Sequence, residues 1–244
     1  MSTRAILPVK VSLTAGDFYT LWAPTWKEKG SEWQAFLGDD ESVLAFHSPE
    51  ELLVFLNTTA QHDLTDHPKW ANFQAQADDR VVPSEKQYYD IVGAPNFLAD
   101  RPSHGNVSQL SRVLQLSRSL AEVANAEQAQ IFFASHSILA NVARGSEHYS
   151  GDAGLDEWSG VGRVVLANWE NVVHSLDGAV RVVETNELDA DAVASAGTAI
   201  TAAQEERARR REEQQKQEVA QAAAEDPYDV SPWATAGIDP VKIT

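Results

Sequence analysis

The chain has 244 residues, of which 43% are hydrophobic, and this is enough to bury a core in one large or two ordinary domains. With 36 acidic against 19 basic residues the formal charge is −17, a field that repels phosphate backbones and makes nucleic acid an unfavourable partner. The chain has no cysteine, which excludes disulfides, thiolate nucleophiles and cysteine metal sites.

Neither end of the sequence carries a signal for export or membrane insertion. The N-terminus lacks the long apolar core of a signal peptide, and no apolar run approaches the roughly 18 residues that a membrane span needs. We therefore expect a cytoplasmic protein with no membrane span.

Residues 1–100 are predicted to form a β-rich region with one packed helix. After the strands, Ser48 can cap a helix, Pro49 suits its first position, and Glu51 completes a capping box. The leucines that follow give this helix an apolar side. Four short apolar runs bounded by turn residues predict the strands of an antiparallel meander, namely 6–13, 18–22, 33–37 and 43–46.

Three tryptophans of this region, Trp22, Trp26 and Trp33, are candidate polypeptide-binding residues. Exposed, they would line apolar grooves that shelter apolar segments of another chain, while the acidic surface keeps the complex in solution. Large aromatic side chains are more often buried, so a place in the core is the competing interpretation.

A histidine and aspartate cluster follows the predicted helix. On a helix His62 and Asp66 would share a face, and with His67 they form a weak candidate zinc or iron site. Pro68 interrupts a helix here, and a polar turn whose aspartates bind the backbone explains the same residues. We favour the turn, and we predict no metal and no cofactor.

Residues 104–185 change to helical periodicity and are expected to pack on the first region. Apolar residues recur at helical spacing over 106–124, 127–142 and 158–176. Asn106 is the expected cap of the first of these helices, and Asp177 with Gly178 ends the last.

Residues 187–226 are rich in alanine, glutamate, arginine and glutamine, with acids placed four residues before bases. No apolar heptad persists, so we expect an exposed helical linker with few tertiary contacts rather than a coiled coil. The fold class is thus predicted to be α+β: a small antiparallel meander sheet with a packed helix, a helical region and an exposed linker helix.

Residues 228–244 are predicted to start a truncated second repeat. The segment IDPVKIT at 238–244 can be laid on ILPVKVS at 6–12, with isoleucine, proline, valine and lysine in common. A single strand cannot cover its own apolar face, so we expect this tail to be disordered or to pair with an exposed sheet edge.

Nothing in the sequence names a reaction. No G-x-S-x-G elbow, phosphate loop or G-x-G-x-x-G motif follows a strand. We predict no catalytic residues and a protein that is not an enzyme.

A resemblance to a known protein family predicts a function. The segments TLWAPTW, EWQAFLGDD, SPEELLVFLNT, HDLTDHPKW and YYDIVGAP resemble those of actinobacterial proteins often labelled primosomal proteins, to which the mycobacterial SatS export chaperone is similar. The resemblance covers most of residues 6–183, and the chain looks like the N-terminal part of such proteins. It implies a cytosolic protein that holds exported or unfolded polypeptide clients, with an accessory SecA-type export ATPase as a partner.

Two alternative functions are compatible with the sequence. The primosomal label suggests a nucleic-acid or replication-associated module, which a basic face studded with aromatic residues would favour. A metal-dependent hydrolase would use the cluster from His62 to His67, and carboxylates converging with histidines in a cleft would favour it.

Overall fold

In a computed structural model of the protein, residues 5–28, 31–39 and 42–224 are described, without the side chains of 26–28, 31 and 219–224. The chain divides into two compact units, residues 1–201 and 202–244. The predicted repeat at 228–244 lies outside the described residues.

The strands are β1 (Leu7–Leu13), β2 (Gly16–Glu28), β3 (Ser31–Phe36), β4 (Val43–Ala45), β5 (Tyr88–Tyr89) and β6 (Val180–Val182). The α-helices are α1 (Pro49–Thr58), α2 (Trp70–Gln74), α3 (Ala77–Arg80), α4 (His104–Val123), α5 (Glu127–Ser135), α6 (Gly151–Asp177) and α7 (Ala190–Ala224).

The main sheet has the order β3-β2-β1-β5. β1 pairs antiparallel with β2 from Leu7 opposite Trp22 to Leu13 opposite Gly16, and β2 pairs antiparallel with β3. The short β5 joins the other side of β1 in parallel. The first three strands are the predicted meander, and the predicted α+β fold class is confirmed.

The fourth predicted strand of the meander belongs elsewhere. β4 pairs in parallel with β6 in a separate two-stranded sheet. Its links to the first sheet region include the bridges Tyr19 to Phe46 and Gly38 to Val43, and the hydrogen bond that the Thr20 hydroxyl donates to the Leu44 carbonyl (2.7 Å). All three residues of β4 are buried. Its partner comes from beyond α6, which no local pattern in the sequence could reveal.

The start of α1 and its Ser48 cap were predicted correctly, but the predicted capping box is wrong, because the Glu51 carboxylate bonds the His47 N–H and not that of Ser48. The Ser48 hydroxyl accepts a hydrogen bond from the Glu51 N–H (3.2 Å). The Glu51 carboxylate reaches past the helix and accepts from the His47 N–H (2.9 Å) and the Thr185 hydroxyl (2.7 Å). Because Glu51 is only 4% exposed, this carboxylate is a buried link between α1, the end of β4 and the chain after β6.

The helical region has the expected order with different boundaries. Ser103, not Asn106, caps α4, and Asn106 instead completes a capping box at the third helical position. The second predicted helix is divided, because His136 leaves helical geometry after α5 and a 3-10 helix, Ser137–Arg144, follows. α6 begins at Gly151, ahead of the predicted start at residue 158.

Two hydrophobic clusters lie on the two faces of the sheet. The larger is formed with α4, α5 and α6, and the smaller with α1 and residues 64–81. Neighbouring residues of β2 separate accordingly, because side chains alternate along a strand. Trp22 joins the larger cluster and Leu21 the smaller one.

The first turns of α7 pack more closely than the sequence predicted. Ala196 and Ile200 are 7% and 4% exposed and belong to the smaller cluster, with Val193 packed beside them. Their spacing of three, four and seven residues is an apolar stripe that the alanine-rich composition conceals. In the second unit, described by itself, the side chains of 202–218 are exposed at all positions but 203 and 206.

Candidate functional site

Three adjoining depressions follow one side of α4, where it faces α5 and the 3-10 helix. The central one has a volume of about 510 Å³, and its neighbours toward the C-terminal and N-terminal ends of α4 have about 320 and 190 Å³. We call the three together the α4 groove. The central depression shares Arg118, Phe133 and Ala134 with one neighbour, and Ser111, Val142 and Ala143 with the other.

The groove is long enough for a short stretch of polypeptide. Between Ser108 and Glu122 the axis of α4 advances about 21 Å at 1.5 Å per residue. An extended peptide of about six residues has the same length.

The walls of the groove combine an apolar floor with a low rim. Leu114, Leu139 and Val142 are buried beneath it. Ala140 and Ala143 are exposed beside them, and side chains of that size keep the rim low. A concave surface lined mainly by apolar side chains is characteristic of a binding site.

α5 holds its side of the groove because it is fixed to α6. The Phe132 and Trp169 rings meet edge to face at 5.9 Å, and Phe133 contacts Trp169 at 6.4 Å. The indole N–H of Trp169 donates to the Ile91 carbonyl (2.7 Å). At the end of α5, His136 Nδ1 lies 2.9 Å from the Phe132 carbonyl oxygen and therefore carries the proton, since a carbonyl only accepts.

The centre of the groove carries little charge. Among the described residues that line it, none is acidic, and Arg118 and His136 are its ionisable side chains. Arg118 Nε bonds the Glu122 carboxylate (2.9 Å), which also accepts from the Gln34 amide (2.7 Å). In a chain of charge −17, the centre of this groove is therefore free of carboxylates among the described residues that line it.

The three candidate tryptophans do not form one groove. Trp22 is 4% exposed and stacks on Phe36 at 5.9 Å, and its indole N–H has no hydrogen-bond partner among the described residues. It is a core residue, because β2 is an inner strand with both faces covered. Trp33 is 56% exposed on the edge strand β3, and alternation places it on the face opposite Phe36. The backbone of Trp26 pairs with that of Trp33, and its side chain lies outside the described residues.

The histidine cluster forms turns. His62 Nδ1 accepts from the Leu64 N–H (3.2 Å) and His67 Nδ1 from the Lys69 N–H (3.1 Å). His62 also lies edge-on to Trp70 at 4.3 Å, and burial lowers its pKa. Asp66 is exposed, and the described residues contain no group of three histidines or carboxylates placed to hold a metal. Each histidine thus has the backbone-binding role of a polar turn.

The α4 groove was missed by the sequence analysis. The signal lies in the segment IFFASHSILANVAR at 131–144, where large apolar residues alternate with alanine and serine. The alanines at 134, 140 and 143 are exposed in the structure. The large apolar residues of the segment by themselves predict one ordinary amphipathic helix.

A comparison with protein families gives this groove a context. The model described as the SatS C-terminal domain matches residues 6–177. The chain belongs to this family. The matched residues run from β1 through α6 and include the whole α4 groove. The SatS resemblance is confirmed, and the matched part carries the name of the C-terminal domain where we expected the N-terminal part.

A solved structure shares the fold of this SatS-like chain. The crystal structure of the SatS C-terminal domain in complex with bromine superposes with a TM-score of 0.50 at 19% identity, covering 73% of this chain and 94% of that chain. Among curated proteins no match is found. Within the described residues, no helix has the length and apolarity to cross a membrane.

Proposed function

We propose that this SatS-like protein is a non-enzymatic, chaperone-like binder of exported or unfolded polypeptides, and that the α4 groove holds the client. The observation that carries the proposal is the apolar floor of Leu114, Leu139 and Val142 behind a rim of small side chains. Membership of the SatS family supports it, because the resemblance to SatS implies export-chaperone activity.

The size of the groove favours weak, reversible binding. Burying one leucine or phenylalanine side chain contributes about 1.5–3 kcal/mol. Two or three such side chains fit within a six-residue segment, and ordering the client offsets part of their contribution. Affinity of that kind suits a protein that must release its client to a later step.

The charge of the protein supports the same role. An unfolded client brings apolar surface that would otherwise associate with other chains. A carrier of charge −17 repels its own copies and keeps such complexes apart. We further propose that the protein acts in the cytoplasm and passes clients to an accessory SecA-type export ATPase, which rests on the SatS resemblance.

The nucleic-acid alternative lacks a supporting feature. It requires a basic surface, and the densest basic run in the sequence, Arg207 to Arg211, lies among glutamates that include Glu206, Glu212 and Glu213. Glu206 pairs with Arg209 and Arg210 at 2.8 and 3.0 Å, which neutralises much of that run.

The proposal can be tested with a substitution that fills the α4 groove. Ala140→Trp places an indole over the apolar floor, and Ala208→Trp places the same indole on an exposed position of α7 as a matched control. The probe is fluorescently labelled, reduced and carboxymethylated lactalbumin, which stays unfolded in buffer, and binding is read by anisotropy. We expect Ala140→Trp to weaken binding at least tenfold and Ala208→Trp to leave it unchanged. Binding by Ala140→Trp equal to that of the unaltered chain would refute the groove as the client site.

A further inference from the structure

A second cavity lies on the side of α6 that faces the chain between β5 and α4. It has a volume of about 570 Å³, and Val92, Pro95, Leu166 and Trp169 form its apolar part. We call it the α6 pocket. We propose that the α6 pocket is a docking surface for a basic, amphipathic segment of a partner protein.

The apolar part of the pocket is unusually exposed. Leu166 is 70% exposed, the largest fraction among the large hydrophobic side chains of the described residues, and Val92 is 44% exposed. A single exposed leucine is ordinary on a soluble protein. Two such side chains on one cavity, next to a proline and a tryptophan, form a patch that a partner can cover.

The rim of the pocket is acidic. Glu170, one turn beyond Leu166, is exposed and belongs to none of the ion pairs that the described residues form. The Asp177 carboxylate accepts hydrogen bonds from the N–H (3.1 Å) and the hydroxyl of Thr14. These donors are neutral and fix the carboxylate at the rim, and among the described residues that line the pocket His174 is the one side chain able to carry a positive charge.

The chemistry of the pocket differs from that of the α4 groove. The centre of the groove has Arg118, His136 and no acidic side chain, whereas the described residues that line the α6 pocket include two carboxylates and His174 but no lysine or arginine. The occupant therefore needs apolar side chains flanked by lysine or arginine. An amphipathic helix with a basic margin meets this requirement.

The charge and length of the site determine which partner fits. From Leu166 to Asp177 the axis of α6 advances about 16 Å, the length of about three helical turns. A second copy of this chain is a poor occupant, because its basic helix segment, Arg207 to Arg211, has alanine as its only apolar residue type. Nucleic acid is disfavoured by the carboxylates. A helical segment of a different protein remains as the occupant.

The test uses a defined probe on the full chain. The probe is a 15-residue synthetic peptide that forms an amphipathic helix with leucines on one face and lysines on its margins. Its twin has glutamate in place of every lysine. Amide chemical shifts of the labelled protein locate the binding site, and anisotropy of a fluorescent probe gives its affinity.

We expect the lysine peptide to shift the amides of residues 92–94 and 166–177, and the glutamate twin to shift none. Leu166→Glu should weaken binding of the lysine peptide at least tenfold. Glu170→Lys should weaken it at least threefold at low salt, with a smaller effect at high salt. Both positions are exposed, so the melting temperature should stay within about two degrees, as for ordinary surface substitutions.

Three outcomes would overturn the proposal: no binding of the lysine peptide, shift changes centred on residues 111–143, or equal affinity of both variants and the unaltered chain. Ala140→Trp separates this result from the proposed client site. It should leave binding of the lysine peptide unchanged even where it abolishes binding of the unfolded client, so each proposal can fail alone.

Discussion

Replacing Glu51 by alanine should destabilise the protein by about 3 kcal/mol. The carboxylate is 4% exposed and accepts two hydrogen bonds, from the His47 N–H and the Thr185 hydroxyl. Hydrogen bonds to a charged partner contribute about 1.5–3 kcal/mol each. The buried carboxylate has lost part of its hydration, and its removal returns some of that free energy. The loss of unfolding free energy should therefore lie near about 3 kcal/mol, the sum of the lower estimates for the two hydrogen bonds.

The assay is urea unfolding at neutral pH followed by tryptophan fluorescence. Glu50→Ala is the matched control, since Glu50 shares the first turn of α1 and accepts neither of these hydrogen bonds. For a chain of this size, 3 kcal/mol corresponds to a fall of about 6–12 °C in melting temperature. Glu51→Gln should lose about half as much, because one amide oxygen can still accept. A loss below 1 kcal/mol for Glu51→Ala, or an equal loss for Glu50→Ala, would show that the carboxylate does not link α1 to the chain after β6.

Two further predictions concern the two hydrophobic clusters. Burial, together with the nearby Glu157 carboxylate, raises the pKa of Tyr149 from 10.0 to about 12. Because the folded-state pKa of this phenol is raised, its contribution to the free energy of unfolding is fully present below pH 10 and is lost between pH 10 and about 12. At 1.36 kcal/mol per pKa unit, the free energy of unfolding falls by about 2–3 kcal/mol over this range. Tyr149→Phe should abolish this alkaline loss of stability. At neutral pH it should cost little, because the hydroxyl has no hydrogen-bond partner among the described residues. An unfolding free energy with the same alkaline pH dependence as the unaltered chain would contradict this. Ile200→Ala in α7 should cost about 2–4 kcal/mol in urea unfolding because Ile200 is 4% exposed, and a cost as small as that of Thr201→Ala at its exposed neighbour would show that this part of α7 does not pack.

The sequence predicted what depends on neighbouring residues. Ser48, Pro49 and Glu51 specify the start of α1 through contacts within four positions, and apolar runs bounded by turn residues predicted the first three strands of the meander. Helical spacing in the second half gave three helices, with errors at their ends where Ser103 competed with Asn106 as a cap.

Contacts between distant parts of the chain could not be predicted. β4 needs β6 as its partner, and Glu51 needs Thr185, which is 134 positions away. The exposure of the candidate tryptophans also depends on such distant contacts. Whether Trp22 is buried or exposed depends on which strands flank β2, and the α4 groove exists only where α4, α5 and a 3-10 helix meet.

The ring contact between Phe133 and Trp169 gives the two proposed sites a common wall. Phe133 lines the α4 groove and Trp169 lines the α6 pocket, and their ring centroids are 6.4 Å apart. A client that displaced the Phe133 ring would change the packing of Trp169, and with it the affinity of the pocket for its partner, whereas Ala140→Trp leaves Phe133 itself unaltered. Thermodynamic linkage makes such coupling reciprocal, so binding of the partner would change the affinity for the client by the same factor. If that factor lowers both affinities, binding of the partner at the α6 pocket would release the client from the α4 groove.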